Sequence, residues 1–145
     1  MKVVLQRVKE SKVIVEGSIV GEIGQGVNLL VCIEKTDDEN IVKKAANKIL
    51  ALRIFNDENN KMNLNLNQVN ADVLAISQFT LSWDGAKGNR PSFDLSMPPE
   101  RAQTLFNSFC KLLEEQVKVE KGVFGASMEV SLINDGPVTF SLSFS

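Results

Sequence analysis

A chain of 145 residues and 16.0 kDa has room for one domain, and at this size folding buries about 68–70% of the surface that the unfolded chain exposes, so a core forms without disulfide or metal staples. Sixteen basic residues against 18 acidic ones leave a net charge of -2 and a pI near 5.2, which excludes attachment to nucleic acid through bulk positive charge. Histidine is absent. That removes Ser-His-Asp and Cys-His catalysis, histidine-ligated zinc and the ordinary near-neutral general base, and two cysteines, Cys32 and Cys110, cannot build a four-cysteine metal site.

Apolar residues make up 43% and charged residues 23%, the balance of a globular chain rather than a disordered one. Charge appears within the first seven residues, Met1 to Arg7, too soon for the apolar stretch of a signal peptide. No segment approaches the ~20 apolar residues of a membrane span. Cys32 in an apolar run and Cys110 on the apolar side of a predicted helix read as buried free thiols, and a cytoplasmic location is the default expectation.

In chain order, residues 2 to 33 are β-rich. Val13-Ile14-Val15 and Ile19-Val20 flank a hairpin-like turn at Glu16-Gly17-Ser18, and the nearly continuous apolar run Val27 to Ile33 predicts a central strand. Thr36 and Glu39 have the spacing of a capping box, and Ile41, Val42, Ala45, Ala46, Ile49 and Leu50 recur on one helical face, predicting a helix over about 38–52. Seven asparagines between Asn56 and Asn70 mark a polar excursion with one short edge strand.

A short strand over Ala71 to Ile76 ends at Ser77-Gln78-Phe79-Thr80-Leu81, and Trp83 to Pro91 has the composition of an exposed loop. A second helix starts near Pro98-Pro99-Glu100, carries Ala102, Leu105, Phe106, Phe109, Leu112 and Leu113 on its apolar stripe, and ends near Gln116. The last segment alternates, Val138, Phe140, Leu142 and Phe144 against Thr139, Ser141, Ser143 and Ser145, the pattern of a strand with one buried face. Together these elements predict an α/β domain of the α+β kind: a single mixed β-sheet over residues 1–145 with two main helices on one face and a β-hairpin layer on the other.

Taken alone, Asn134-Asp135-Gly136-Pro137-Val138-Thr139 reads as a hairpin turn between strands, and Ser77-Gln78-Phe79-Thr80 as a strand terminus with capping hydroxyls. Taken together, with Gln6-Arg7 near the start, Lys87-Gly88-Asn89-Arg90-Pro91-Ser92-Phe93 after the first motif and Gly122-Val123-Phe124-Gly125-Ala126 before the second, they closely resemble the D-aminoacyl-tRNA (D-tyrosyl-tRNA) deacylase family. Five separated patterns agree in order and spacing along the whole chain. Trp83 departs from the family's loop pattern.

The resemblance implies a deacylase-like fold and an enzyme that needs no metal or cofactor. The reaction is hydrolysis of the ester between a D-amino acid, or glycine, and the 3′-terminal adenosine of tRNA. It further implies a two-fold homodimer in which a cis Gly136-Pro137 reaches into the partner's site, where main-chain carbonyls occupy the space that an L side chain needs. Gly136, Pro137, Val138 and Thr139 then form the chirality-selecting motif, supported by the guanidinium fork of Arg7.

Ser77, Gln78, Phe79 and Thr80 match the motif of the reaction centre, where main-chain N–H groups at Gln78 to Thr80 are suited to a developing oxyanion. Water attack assisted by the ribose 2′-hydroxyl then replaces a protein base. Phe124, Gly125, Ala126 and Met128 match the wall of the adenosine pocket, and Lys87 and Arg90 are candidate phosphate contacts.

Two other readings stand beside this one. A non-catalytic module that binds the tRNA 3′ end would use the same residues without hydrolysis. A Thr- or Ser-nucleophile esterase using Thr139 or Thr80 is disfavoured, because neither hydroxyl has a histidine or an evident lysine to activate it. Gly21, Gly24 and Gly26 match no phosphate-binding fingerprint and read as a turn between strands, and Asp37-Asp38-Glu39 reads as helix N-terminal charge rather than a metal site.

Overall fold

The computed structural model describes residues 1–86 and 88–145. Its organising element is β1 (Lys2–Val15), which turns at Glu16-Gly17 and returns as β2 (Ser18–Ile23) and β3 (Gly26–Cys32). Glu16 and Gly17 have φ 49° and 79°, the left-handed pair that a two-residue hairpin needs. Along one edge of β1, β2 pairs with Ser11–Val15 and β3 with Lys2–Val8. Along the other edge runs β8 (Glu129–Ser143), antiparallel. Parallel pairing of β3 with β6 (Asp72–Ser77), and of β6 with β7 (Val119–Lys121), completes a mixed six-stranded sheet.

Two helices, α1 (Glu39–Ala51) and α2 (Pro99–Glu114), cover one face of this sheet. Val3, Leu5, Val27, Leu29, Val31, Val73 and Ala75 point to that side and pack with the apolar stripes of both helices, whose centre is the fully buried Phe109. The alternate strand residues point the other way. There Leu74 and Ile76 of β6 meet Val8 and Val13 of β1 and Ile23 of β2 in a smaller second core, so the far half of the β1–β2 hairpin folds over the second face of the sheet. The crossing is close: a Cβ on Gly21 would sit 2.8 Å from the Lys121 carbonyl oxygen and 3.2 Å from Leu74 Cδ1, so only glycine allows β2 this approach. The expected architecture of one mixed sheet, two helices on one face and a hairpin layer on the other, is the one observed. Among the described residues, no helix is long and apolar enough to cross a membrane.

Four local expectations are corrected. Asp38, not Thr36, caps α1, its carboxylate accepting from the N–H groups of Asn40 and Ile41; an acceptor nearer the helix start satisfies two orphan donors at once. The asparagine-rich excursion holds two strands rather than one, β4 (Phe55–Asn56) and β5 (Met62–Leu64), paired as a separate ribbon. Its turn is tied by Asp57, whose carboxylate accepts from the N–H groups of Asn59 and Lys61. The segment 134–139 is no hairpin turn: both flanking runs belong to the one strand β8 and pair with the same neighbour. Lastly, the apolar side of the C-terminal segment is only half covered, with Phe140 still 36% exposed, because β8 is an edge strand.

Phe109→Ala is expected to lower the free energy of unfolding by about 3–5 kcal/mol, read from urea denaturation, since both helices and the sheet close on that ring. Cys32 and Cys110 are free and fully buried. Burial is the main cause that pushes their thiols up from 9.0, to about 11 and about 12. A raised acid contributes full stability below its unfolded value and loses it as pH climbs towards the folded one. Urea midpoints are therefore expected to fall from pH 9 upwards, and thiol reagents at pH 7.5 to label neither cysteine until the chain unfolds.

Candidate active site

At its C-terminal end β6 delivers Ser77, and the Gln78 N–H donates to the Val31 carbonyl at 2.7 Å, turning the chain into a one-turn 3-10 helix, Phe79–Ser82. Gln78 is therefore not an available donor, which corrects the expectation of three main-chain groups. The N–H groups of Phe79 and Thr80 lie in the first turn of that helix, where no intrahelical acceptor exists. Among the described residues no other acceptor faces them, so two adjacent donors are free for an anionic oxygen.

Beside them opens a cavity of about 570 Å³, within the roughly 300–1,000 Å³ of small-molecule sites. Ser77, Gln78 and Phe79 contribute to its lining, and so do Phe124, Gly125, Ala126 and Met128. Two motifs separated by more than forty residues of chain thus share one cavity. Phe124 is half-buried and packs on Phe106 of α2 with ring centroids 6.1 Å apart, so it serves the core and the cavity together. Sequence reasoning missed Phe93, Ala102 and Phe106 as lining residues. The stripe of α2 pointed to the last two as core, and Phe93 carried only the hint of standing in a family-like loop motif. Phe93 meets Phe79 edge to face at 5.0 Å.

None of the described residues lining the cavity titrates. Cys32 approaches from behind, its Sγ donating to the Phe79 carbonyl at 3.5 Å, and its raised value keeps it a neutral thiol. The two candidate nucleophiles are likewise unprimed. Thr80 Oγ1 accepts a hydrogen bond from Gln78 Nε2, and Thr139 Oγ1 accepts one from Asn134 Nδ2 at 2.7 Å. Each hydroxyl oxygen faces a donor where an activated nucleophile would face a base.

The second motif lies elsewhere. The β1–β8 ladder runs from Lys2↔Ser143 to Gln6↔Thr139 and resumes at Val8↔Asn134, so residues 135–138 bulge out opposite Arg7 alone. The Gly136–Pro137 peptide is cis, Gly136 has φ 125°, and both residues are exposed. A Cβ on Gly136 would lie 3.0 Å from the Val138 nitrogen, which adds a clash to a conformation already costly for any other residue. Buried beneath the bulge, Arg7 donates from Nε to the Asp135 carbonyl at 3.3 Å, stands 3.2 Å from the Asp135 carboxylate, and donates from Nη1 to the Ile54 carbonyl at 2.6 Å.

Neither Arg7 nor any residue of the bulge lines the cavity of its own chain. Val130 does, and Gly136 lies six residues further along β8, roughly 20 Å of strand. Thr80 is exposed on the 3-10 helix, and Arg90 is exposed on the following loop without a carboxylate partner among the described residues. Lys87 lies outside the described residues.

The family model described as D-Tyr-tRNA(Tyr) deacylase matches residues 4–143. A D-aminoacyl-tRNA deacylase of Pelobacter propionicus is 51% identical over 143 residues, 98% of this chain and 99% of the relative. One of Geobacter sp. is 53% identical over 143 residues, 98% and 96% of the two chains. A solved structure described as a c-Myc DNA unwinding element binding protein superposes with a TM-score of 0.94 at 39% identity, covering 99% of this chain and 98% of that one. With one family model spanning nearly the whole chain and relatives at half identity end to end, the chain belongs to the D-Tyr-tRNA(Tyr) deacylase family, the D-aminoacyl-tRNA deacylases, and is a hydrolase of that kind.

Proposed function

We propose that this protein hydrolyses the ester joining a D-amino acid, or glycine, to the 3′-terminal adenosine of tRNA, and spares L-aminoacyl esters by main-chain exclusion across a two-fold homodimer. The observation that carries the reading is the separation within one chain of the Gly136-Pro137 bulge from the cavity that the other motifs line. A second copy brings the two together. The open edge of β8 and its exposed Val130, Ile133 and Phe140 supply an apolar surface for that copy to cover.

In this reading the terminal adenosine enters the cavity against Phe124, Gly125, Ala126 and Met128. The ester carbonyl faces the free N–H groups of Phe79 and Thr80. Water adds to the carbonyl carbon, the oxyanion is held by those two donors, and the carbon–oxygen bond to the ribose breaks. The ribose 2′-hydroxyl relays the proton from the attacking water to the leaving 3′-oxygen, which suits a cavity whose described lining residues do not titrate. Ser77 and Gln78 shape the turn that aims the donors. Lys87 and Arg90 contact tRNA phosphates, a local electrostatic contribution that a net charge of -2 permits.

The partner's Gly136 and Pro137 carbonyls, with Val138 and Thr139 behind them, fill the side of the Cα where an L side chain would project. Glycine has no side chain to exclude, so glycyl-tRNA passes the same screen. Two buried free thiols fit a reducing compartment such as the cytoplasm. Binding to duplex DNA, suggested by the name of the structural neighbour, is disfavoured by the charge balance.

Release of D-tyrosine and of L-tyrosine from the same tRNA, at catalytic protein concentration and with a chelator present, is the direct test. Fast D-release with the L-ester intact is expected. Release of both at similar rates contradicts exclusion, and release of neither with tRNA still bound points to a non-catalytic 3′-end module.

A further inference from the structure

Residues 135–138 have no partner in the β1–β8 ladder, so their position depends on side chains. Arg7 fixes only the Asp135 end, through its carbonyl and its carboxylate. The other end is held by Asn134, whose Oδ1 accepts from the Val138 N–H at 3.2 Å while Nδ2 donates to Thr139 Oγ1 at 2.7 Å. The two contacts agree with one another: because an N–H of the main chain occupies the oxygen, the amide's NH₂ must face the threonine. One side chain thus spans the bulge from its first ladder residue to its last. The exposed Gly136 and Pro137 stand between these anchors; among the described residues no side chain donates a hydrogen bond to either, and the Arg7 guanidinium packs next to Gly136, with Nη2 3.3 Å from where a Cβ would lie.

From this geometry we infer that Asn134 is a specificity-determining positioning residue: its side-chain amide sets the place of the Gly136-Pro137 main chain, and with it the D/L discrimination of the site the bulge faces. The inference rests on the exclusion reading proposed above. A screen made of main chain excludes by distance, and contact repulsion changes steeply within a fraction of an ångström. Loosening the bulge therefore admits L side chains before it harms the chemistry, because the donors at Phe79 and Thr80 belong to another part of the chain. Thr139 has its role here as the acceptor of the second anchor rather than as a nucleophile.

Three proteins decide it: the unaltered chain, Asn134→Ala and Asn134→Asp, each assayed with D-Tyr-tRNA, L-Tyr-tRNA and Gly-tRNA, with melting temperature and dimer mass measured alongside. Alanine removes both anchors. The D/L ratio of kcat/KM is expected to fall by about tenfold or more, the scale set by two lost hydrogen bonds, while release from Gly-tRNA persists. Aspartate keeps an oxygen for the Val138 N–H, and the Thr139 hydroxyl can turn to donate to the other, so Asn134→Asp is expected to retain most of the discrimination.

An unchanged D/L ratio in Asn134→Ala overturns the assignment. So does a parallel fall on all three substrates that tracks melting temperature, in alanine and aspartate alike, since that is a fold defect without selectivity. If the alanine variant does not fold, Asn134→Ser, whose hydroxyl is too short to span both anchors, takes its place, and an unchanged D/L ratio there overturns the assignment equally. Lack of D/L discrimination in the unaltered chain removes the exclusion reading itself, and the assignment with it, which separates that failure from the failure of Asn134 alone.

Discussion

Everything distinctive in this fold depends on how β1 is paired. A strand of fourteen residues carries β8 along one edge and two successive partners, β3 and β2, along the other. This fixes the long axis of the sheet and lets the hairpin curl over its second face. The β1–β8 ladder is broken twice, by a one-residue slip at Lys9 of β1 and by the larger mismatch at Arg7, which is absorbed by β8 alone. A guanidinium takes the space that a ladder neighbour would have filled, buried to 7% exposure and answered by the Asp135 carboxylate and two carbonyls. Removing the guanidinium leaves the buried Ile54 carbonyl without this donor, at a cost of about 1–3 kcal/mol. The bulge is therefore a built part of the sheet, held in place by the same residue that interrupts the pairing.

The chemistry follows from a cavity that has main-chain donors and no described side chain that titrates. Ester hydrolysis needs a place for negative charge on the carbonyl oxygen and a route for one proton. The start of the 3-10 helix provides the first without any ionisable group, and the proposal assigns the second to the substrate's own hydroxyl. The absence of histidine is then no handicap. Selectivity is assigned to another chain's backbone, which has no side-chain shape to complement and so does not favour one D-residue over another.

The helices, the central strand and the β1–β2 hairpin were legible because their patterns are local: helical offsets on α1 and α2, an apolar run at β3, turn residues at Glu16-Gly17. Family motifs led to Ser77, Gln78 and Phe79 and to Phe124, Gly125, Ala126 and Met128, which line one cavity, and to Thr80, which does not line it. What the sequence could not express was anything set by long-range register. Asn134 to Thr139 has the composition of a turn, and only pairing with β1 on both sides makes it a bulge within one strand. Phe93 and Phe106 look like loop and core until the fold places them on the cavity, and the loss of the Gln78 N–H to Val31 is visible only in the β3–β6 geometry. The half-exposed Phe140 side of β8 is the same kind of case, since alternation alone implies burial and says nothing of what provides it.

The central claim is that one complete site takes its cavity from one chain and its Gly136-Pro137 bulge from another. Mixing two variants expected to release nothing tests it most directly: Ala102→Trp, which fills the cavity from α2, and Gly136→Trp, whose bulk on the exposed bulge is expected to obstruct, for every ester, the site that the bulge faces. After unfolding and refolding together, a cross-subunit arrangement gives mixed dimers in which an intact cavity meets an intact bulge, so D-tyrosine release returns to roughly a quarter of that of the unaltered protein, one native site in four. If cavity and bulge act within the same chain, every site in the mixture carries one defect, and no activity returns.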